Sequence, residues 1–252
     1  MTIRRRLIPV LLLDRDRRLV KTVRFGERTY IGDPFNVVRL FNEKEVDEIC
    51  LLDIDAARDG RAVDAGFIAE LASECFMPLS YGGGIAPGAP VDKLARAGIE
   101  KFVVGTAAVD RLFVRSLADT FGTQAIVGCI DYRGGPVQRV MTRGGTAELD
   151  QDPVSHARAL EDSGVGEVIL QSIDRDGMRQ GMDTDLISKV SRAISIPLVA
   201  LGGGGEVNDL EAALTAGASA AASGSAFSFV GRLRAVLINY PTQAAVLTRS
   251  VP

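Results

Sequence analysis

Histidine is nearly absent from the chain: His156 is the only one in 252 residues. A single imidazole excludes multi-histidine metal centres and most triad chemistry. Cysteine is scarce too. Cys50, Cys75 and Cys129 have no short spacing, which excludes a zinc site or a disulfide framework. They read as small buried hydrophobes in a reducing compartment. There is no long apolar run. The run after the basic start Met1–Arg6 is only Leu7–Leu13, too short for a signal segment, and no stretch could span a bilayer. Charge of one sign is also missing: 29 Lys and Arg against 32 Asp and Glu leave a net −3, which does not suit nucleic acid or anionic membranes. Hydrophobic residues make up 46 %, enough for a sizeable core. These features predict a soluble, cytoplasmic globular protein. His156 lies in a helical pattern after Pro153, and the cysteines lie in or beside apolar runs. No Cys–His pair is therefore expected, and no glutaminase activity of the chain's own.

What the chain does have is an internal repeat. Asp33-Pro34 recurs as Asp152-Pro153, and Val46 and Glu48 recur as Val165 and Glu167. Ile54-Asp55 recurs as Ile173-Asp174, Pro78-Leu79 as Pro197-Leu198, and Gly83-Gly84 as Gly202-Gly203. Ala97-Gly98 recurs as Ala216-Gly217, and Gly105 as Gly224. All share an offset of 119 without a gap. Such matches indicate two copies of one unit, with halves at about 1–122 and 123–252.

Each half alternates apolar runs with helical patterns. The runs are Leu7–Leu13, Ile49–Ile54, Met77–Tyr81, Phe102–Val104, Ala125–Ile130, Val168–Leu170, Leu198–Leu201 and Ala218–Ala222. Continuous apolar runs suit strands buried on both faces. Asp33 and Asp152 read as N-caps before a first-turn proline, and Gly98 and Gly217 as C-terminal glycines. Four strand–helix units per half predict one (β/α)₈ TIM barrel. A doubly wound open sheet is the runner-up, but it does not predict the repeat.

The chemistry of such a barrel belongs in the loops after the strands. Gly82-Gly83-Gly84, Gly105-Thr106-Ala107, Gly202-Gly203-Gly204-Gly205 and Gly224-Ser225-Ala226 stand there in repeat-related pairs. Their backbone N–H groups can approach an anion closely. Two phosphate sites, and hence a ligand phosphorylated at both ends or linked to a nucleotide, are the expectation. Asp131 closes the run Ile126–Ile130 beside a glycine-rich loop, Tyr132–Pro136, and reads as a general acid or base. Asp53, Asp55 and Asp174 read more readily as turn caps. The repeat partner of Asp131 is Leu12. The acid nearest to Leu12, Asp14, lies in the charged run 14–18 and reads as a solvated loop residue. At the other end of the barrel, Arg6, Glu48, Lys101 and Glu167 stand at strand starts, either as an ordinary charged rim or as a ring of salt bridges.

These residues carry a resemblance. Leu51-Leu52-Asp53-Ile54, Gly82-Gly83-Gly84-Ile85, Thr106-Ala107-Ala108-Val109, Phe121-Gly122-Thr123-Gln124-Ala125 and Ser172-Ile173-Asp174-Arg175-Asp176-Gly177 resemble the cyclase subunit family of imidazole glycerol phosphate synthase over nearly the whole chain. The resemblance implies a barrel of two half-barrels. A separate glutaminase docks on its N-terminal face, and ammonia passes along its axis to a phosphorylated substrate. It implies an ammonia gate at Arg6, Glu48, Lys101 and Glu167, and a substrate contact at Lys21. Phosphate and substrate binding would fall to Gly83, Gly84, Gly105, Thr106, Asp176, Gly203, Gly224 and Ser225. Asp131 would be a catalytic acid. No cofactor or metal is implied.

The chain departs from the family at Gly105, where asparagine is common. It departs also at the first catalytic aspartate, replaced by Leu12, or by Leu13 if a gap is placed earlier. Further stretches, Arg6 to Leu13, Ile31 to Pro34, Asn42 to Glu48, Glu74 to Leu79 and Arg234 to Pro241, resemble a branch associated with amidation of surface-polysaccharide sugars. That branch works with a glutaminase and a separate ATP-using amidotransferase. Three readings stay open: an ammonia-receiving synthase subunit for sugar amidation, a true cyclase of histidine synthesis, and a non-catalytic scaffold that conducts ammonia.

Overall fold

The computed structural model describes residues 5–135, 137–230 and 235–241. Met1–Arg4, Pro136 and Arg234, which entered the sequence reading, lie outside the described residues. Eight parallel strands follow in chain order: β1 (Arg6–Leu13), β2 (Ile49–Asp53), β3 (Leu79–Gly82), β4 (Lys101–Val104), β5 (Ile126–Arg133), β6 (Glu167–Ser172), β7 (Leu198–Leu201) and β8 (Ala220–Ser223). Each pairs with the next, and β8 pairs back onto β1 from Arg6–Ala220 to Pro9–Ser223. That last pairing closes the sheet, so the fold is a (β/α)₈ barrel and not an open doubly wound sheet. Among the described residues, helices Pro34–Glu43, Ala65–Ser73, Val91–Arg96, Arg111–Phe121, Pro153–Asp162, Thr184–Ser191 and Val207–Thr215 follow β1 to β7 in turn. None is long and apolar enough to cross a membrane.

Local chemistry explains the element ends. The Asp33 carboxylate accepts the Asn36 N–H at 3.0 Å, and Asp152 accepts those of Val154 and Ser155, each at 3.0 Å. Such caps contribute about 1 kcal/mol each. Proline at the first helical position loses no hydrogen bond there. β3 starts at Leu79, two residues later than the run from Met77, because Pro78 has no N–H to give a ladder; its carbonyl accepts Ile49 N–H at 2.9 Å. β8 likewise starts at Ala220 rather than Ala218. β5 runs past Ile130 to Arg133, so Tyr132 and Arg133 are strand and not the expected loop; they pair with Val140 and Arg139.

Alternation along β1 separates two cores. Ile8, Val10 and Leu12 join Cys50, Val103, Val127, Ile169, Val199, Leu201, Ala220 and Ala222 inside the barrel. Leu7, Leu11 and Leu13 face the helices. Each fully buried Leu or Ile contributes about 1.5–3 kcal/mol, so register is held firmly on both faces. Two β-hairpins rise from the C-terminal end. One pairs Leu19–Thr22 with Arg28–Gly32 after β1, and the other pairs Arg139–Thr142 with Ala147–Leu149 after β5. Neither was evident from apolar runs. Their tips share backbone conformation at the 119 offset: φ is 52° at both Arg24 and Arg143, and 61° and 63° at Phe25 and Gly144.

Candidate active site at the barrel mouth

A cavity of about 550 Å³ opens between the loops after β2, β3 and β4. Leu12, Gly83, Gly84, Gly105, Thr106 and Asp131 all line it. Leu12 is the inward residue at the end of β1, while Leu13 packs outward, so Leu12 occupies the place that matches Asp131. β5 lies four strands from β1 in either direction round the barrel, so Leu12 and Asp131 are on opposite walls of one space.

Asp131 is half-buried and its carboxyl is pushed up to about 7. Burial is the main cause; nearby Asp176 adds to it, and the Cys129 thiol, 3.6 Å from Oδ1, opposes it. A carboxyl poised near neutrality in a cavity suits proton transfer. Cys129 itself is no nucleophile, because burial and then Asp131 raise its thiol well above the usual range. Burial lifts Cys50 to about 12 and Cys75 to about 11. His156 is buried in its helix and its Nδ1 lies 2.9 Å from the Gln151 amide oxygen. The expected absence of a Cys–His pair thus corresponds to separate, inert surroundings for each group.

The other acids are structural. Asp14 is 4 % exposed, not solvated as its charged run implied. Its side chain folds into its own turn, accepting the N–H groups of Asp16 and Arg18 at 2.9 Å each and the Arg18 guanidinium. The turn satisfies it, so it is unavailable to replace Leu12. Asp53 accepts Asp55 and Ala56 N–H and binds Arg61 through both oxygens, at 2.8 and 2.7 Å. Asp55 holds Arg28 and Arg58, and Arg28 above all keeps its carboxyl down at about 2. Asp174 accepts Gly134 N–H at 2.7 Å.

The β3 glycines are required by packing. Gly83 has φ +109°, and a Cβ there would lie 2.3 Å from the Asp53 carbonyl. Gly84, at φ +71°, abuts Ala56. Arg61 forms part of the same wall, with its Nε buried and without a partner. Sequence reading missed Arg61, since an arginine eight residues beyond a strand carries no motif. Thr106 accepts the Arg143 N–H of the second hairpin on its hydroxyl at 2.8 Å.

The remaining expected residues gather on the other side of the mouth. Lys21, Asp176, Gly203, Gly224 and Ser225 surround a space of only about 20 Å³, room for a water. Lys21 belongs to the first hairpin, not to an open loop; its Nζ donates to the Val10 carbonyl at 2.5 Å. Burial lowers its pKa to about 7, and Asp176 opposes the fall. Asp176 accepts the Thr22 hydroxyl at 2.5 Å and Phe25 N–H at 3.3 Å, which pins the hairpin over the mouth. Burial raises its carboxyl, and the Thr22 bond opposes that.

At the opposite end the four charged residues form a closed ring. Arg6 binds Glu48 at 2.6 Å and also Glu167; Lys101 binds each glutamate at 2.9 Å. Both glutamates are 4 % exposed, so this is not an ordinary solvated rim. Inside the ring lies a void of about 10 Å³, walled by Ile8, Val10, Val127, Ile169 and Val199.

A parallel barrel with a half-buried carboxyl at one mouth and a closed ion ring at the other is a TIM barrel, a fold whose sites sit above the strand ends. The chain belongs to the family described as histidine biosynthesis protein, whose match covers residues 6–233. It is 48 % identical, over 95 % of this chain and 96 % of the relative, to a Pseudomonas aeruginosa protein named "Putative imidazole glycerol phosphate synthase subunit hisF2". It is 41 % identical, over 95 % and 94 %, to a Vibrio vulnificus protein named "Putative imidazole glycerol phosphate synthase subunit hisF3". A Nocardioides protein named "Imidazole glycerol phosphate synthase subunit HisF" is 38 % identical over 93 % and 94 %.

Proposed function

We propose that this chain is the cyclase-like subunit of a glutamine-dependent synthase, and that it receives ammonia from a separate glutaminase for amidation of a surface-polysaccharide sugar. The single observation that carries the reading is Leu12 opposite Asp131. Ring closure in the parent reaction needs two acids on facing walls, and the wall that faces Asp131 carries Leu12 instead. Asp131 keeps proton-transfer chemistry available on its side, and the glycine turns at β3 and β4 offer donors to a phosphate-bearing ligand. The ion ring supports an ammonia gate at Arg6, Glu48, Lys101 and Glu167. Parting its pairs would open the void inside the barrel to the outside. Phe76, 85 % exposed beside Arg6 on the same face, supports docking of the glutaminase there. A separate ATP-using enzyme activates the acceptor in this reading, as the resemblance to the sugar-amidation branch implies. Division into halves at about 1–122 and 123–252 belongs to the same reading. It is supported by the shared φ of Arg24 with Arg143 and of Phe25 with Gly144.

The test is the cyclase assay: purified chain, an ammonium salt and the bis-phosphate substrate of imidazole glycerol phosphate synthase, followed by absorbance. Loss of one positioned acid costs about 10²–10⁴-fold, so turnover should be slight, and Leu12→Asp should recover part of it. Turnover matching an ordinary cyclase overturns the sugar-amidation reading and restores histidine synthesis.

A further inference from the structure

The two ends of the mouth are repeat-related in sequence but differ in their chemistry. At the β8 end, the Ser223 hydroxyl accepts the N–H of Ser225 at 3.1 Å and of Ala226 at 3.0 Å, and donates to the Gly204 carbonyl at 2.7 Å. It consumes the two donors that a phosphate would need. Lys21 fills the rest of that end: a Cβ on Gly224 would lie 2.8 Å from its Nζ, so the glycine makes room for the amine and not for an oxyanion. The residue 119 positions before Ser223 is Val104. Valine has no hydroxyl to offer Thr106 and Ala107, and both of these line the open cavity. Arg61 lines the same cavity, its guanidinium held by both oxygens of Asp53. A guanidinium fixed in place at the cavity wall favours an anionic ligand group beside it.

We propose that this chain takes a ligand with a single anionic group, seated between Gly84 and Thr106 against Arg61, while the Gly203–Ser225 end, closed by Ser223 and Lys21, receives none. The inference deepens the proposed function and rests on its reading of a phosphate-bearing ligand. The sequence expectation of two phosphate sites is thereby reduced to one. A ligand phosphorylated at both ends would be held by one phosphate only, because the Ser225 and Ala226 N–H groups at its other end are already taken.

The experiment uses inorganic phosphate on the full chain, with soaked crystals to place it and calorimetry to count it. One phosphate per chain is expected, near Thr106. Thr106→Pro removes an N–H and should weaken binding about tenfold or more. Ser223→Ala combined with Lys21→Ala frees two N–H groups and the space that the amine fills, and should admit a second phosphate near Ser225, a gain that no folding defect would mimic. Phosphate at both ends of the unaltered chain, or near Ser225 alone, overturns this inference and leaves the phosphate-bearing reading intact. Phosphate at neither end overturns both.

Discussion

Asp14 is held by Arg18: the guanidinium donates to Oδ2 at 3.0 Å and 2.8 Å, and the Arg18 backbone N–H donates to Oδ1 at 2.9 Å. The acid nearest Leu12 in sequence therefore builds the turn that launches the first hairpin. Asp14→Ala removes the acceptor of two turn N–H groups, on the exposed residues Asp16 and Arg18, and should cost about 1 kcal/mol in denaturant unfolding. The hydrogen bonds hold the Asp14 pKa below the ordinary carboxylate value against the opposing effect of burial. Its stabilisation is therefore present above pH about 4 and lost as pH falls further, so the variant should show a shallower acid limb. Ammonium-driven activity per folded molecule should be unchanged; a large loss would mean that Asp14 serves the chemistry.

Asp131 has the opposite sign. Its folded pKa of about 7 lies above the unfolded value. Between about pH 4 and 7 the folded chain keeps a proton that the unfolded chain has released, so stability falls as pH rises through that window. Asp131→Asn has no such slope. Its advantage over the parent chain should grow from pH about 4 and level off above about 7. Unfolding midpoints taken across that range decide the matter, and a constant difference would show that Asp131 titrates normally.

The ion ring makes a separate forecast. Lys101 contacts both buried glutamates, and Lys101→Met leaves Arg6 alone with them. Breaking a buried pair by removing one partner costs about 3–5 kcal/mol, and the low end applies because the Lys101 side chain is 21 % exposed. With a glutaminase partner present, the ratio of glutamine-driven to ammonium-driven product should fall. An unchanged ratio would remove the ring from the path of ammonia.

Much of this arrangement was legible in sequence because it rests on local rules. Asp33-Pro34 and Asp152-Pro153 announced helix starts, and the 119-residue repeat matched Leu12 to Asp131. The hairpins were not legible. Leu19–Thr22 is four residues long and Arg28–Gly32 carries three exposed residues, so neither makes a periodic signal. Asp14 looked solvated because burial there comes from a turn folding back on itself, which composition does not record. Ser223 ended a run of alanines, and its role depends on two N–H groups that only tertiary structure places in reach. Arg61 was missed for the same reason: its partner, Asp53, sits on the preceding strand end.

Gly177 lies beneath the first hairpin so closely that a Cβ would come 2.0 Å from the Thr22 carbonyl. No other amino acid fits while the hairpin stays down. Position 177 therefore cannot drift alone. A lineage that replaced this glycine would first have to lift the hairpin from Asp176, taking Lys21 out of the mouth with it. Glycine 177, the hairpin and the closed end of the mouth are thus inherited together or lost together.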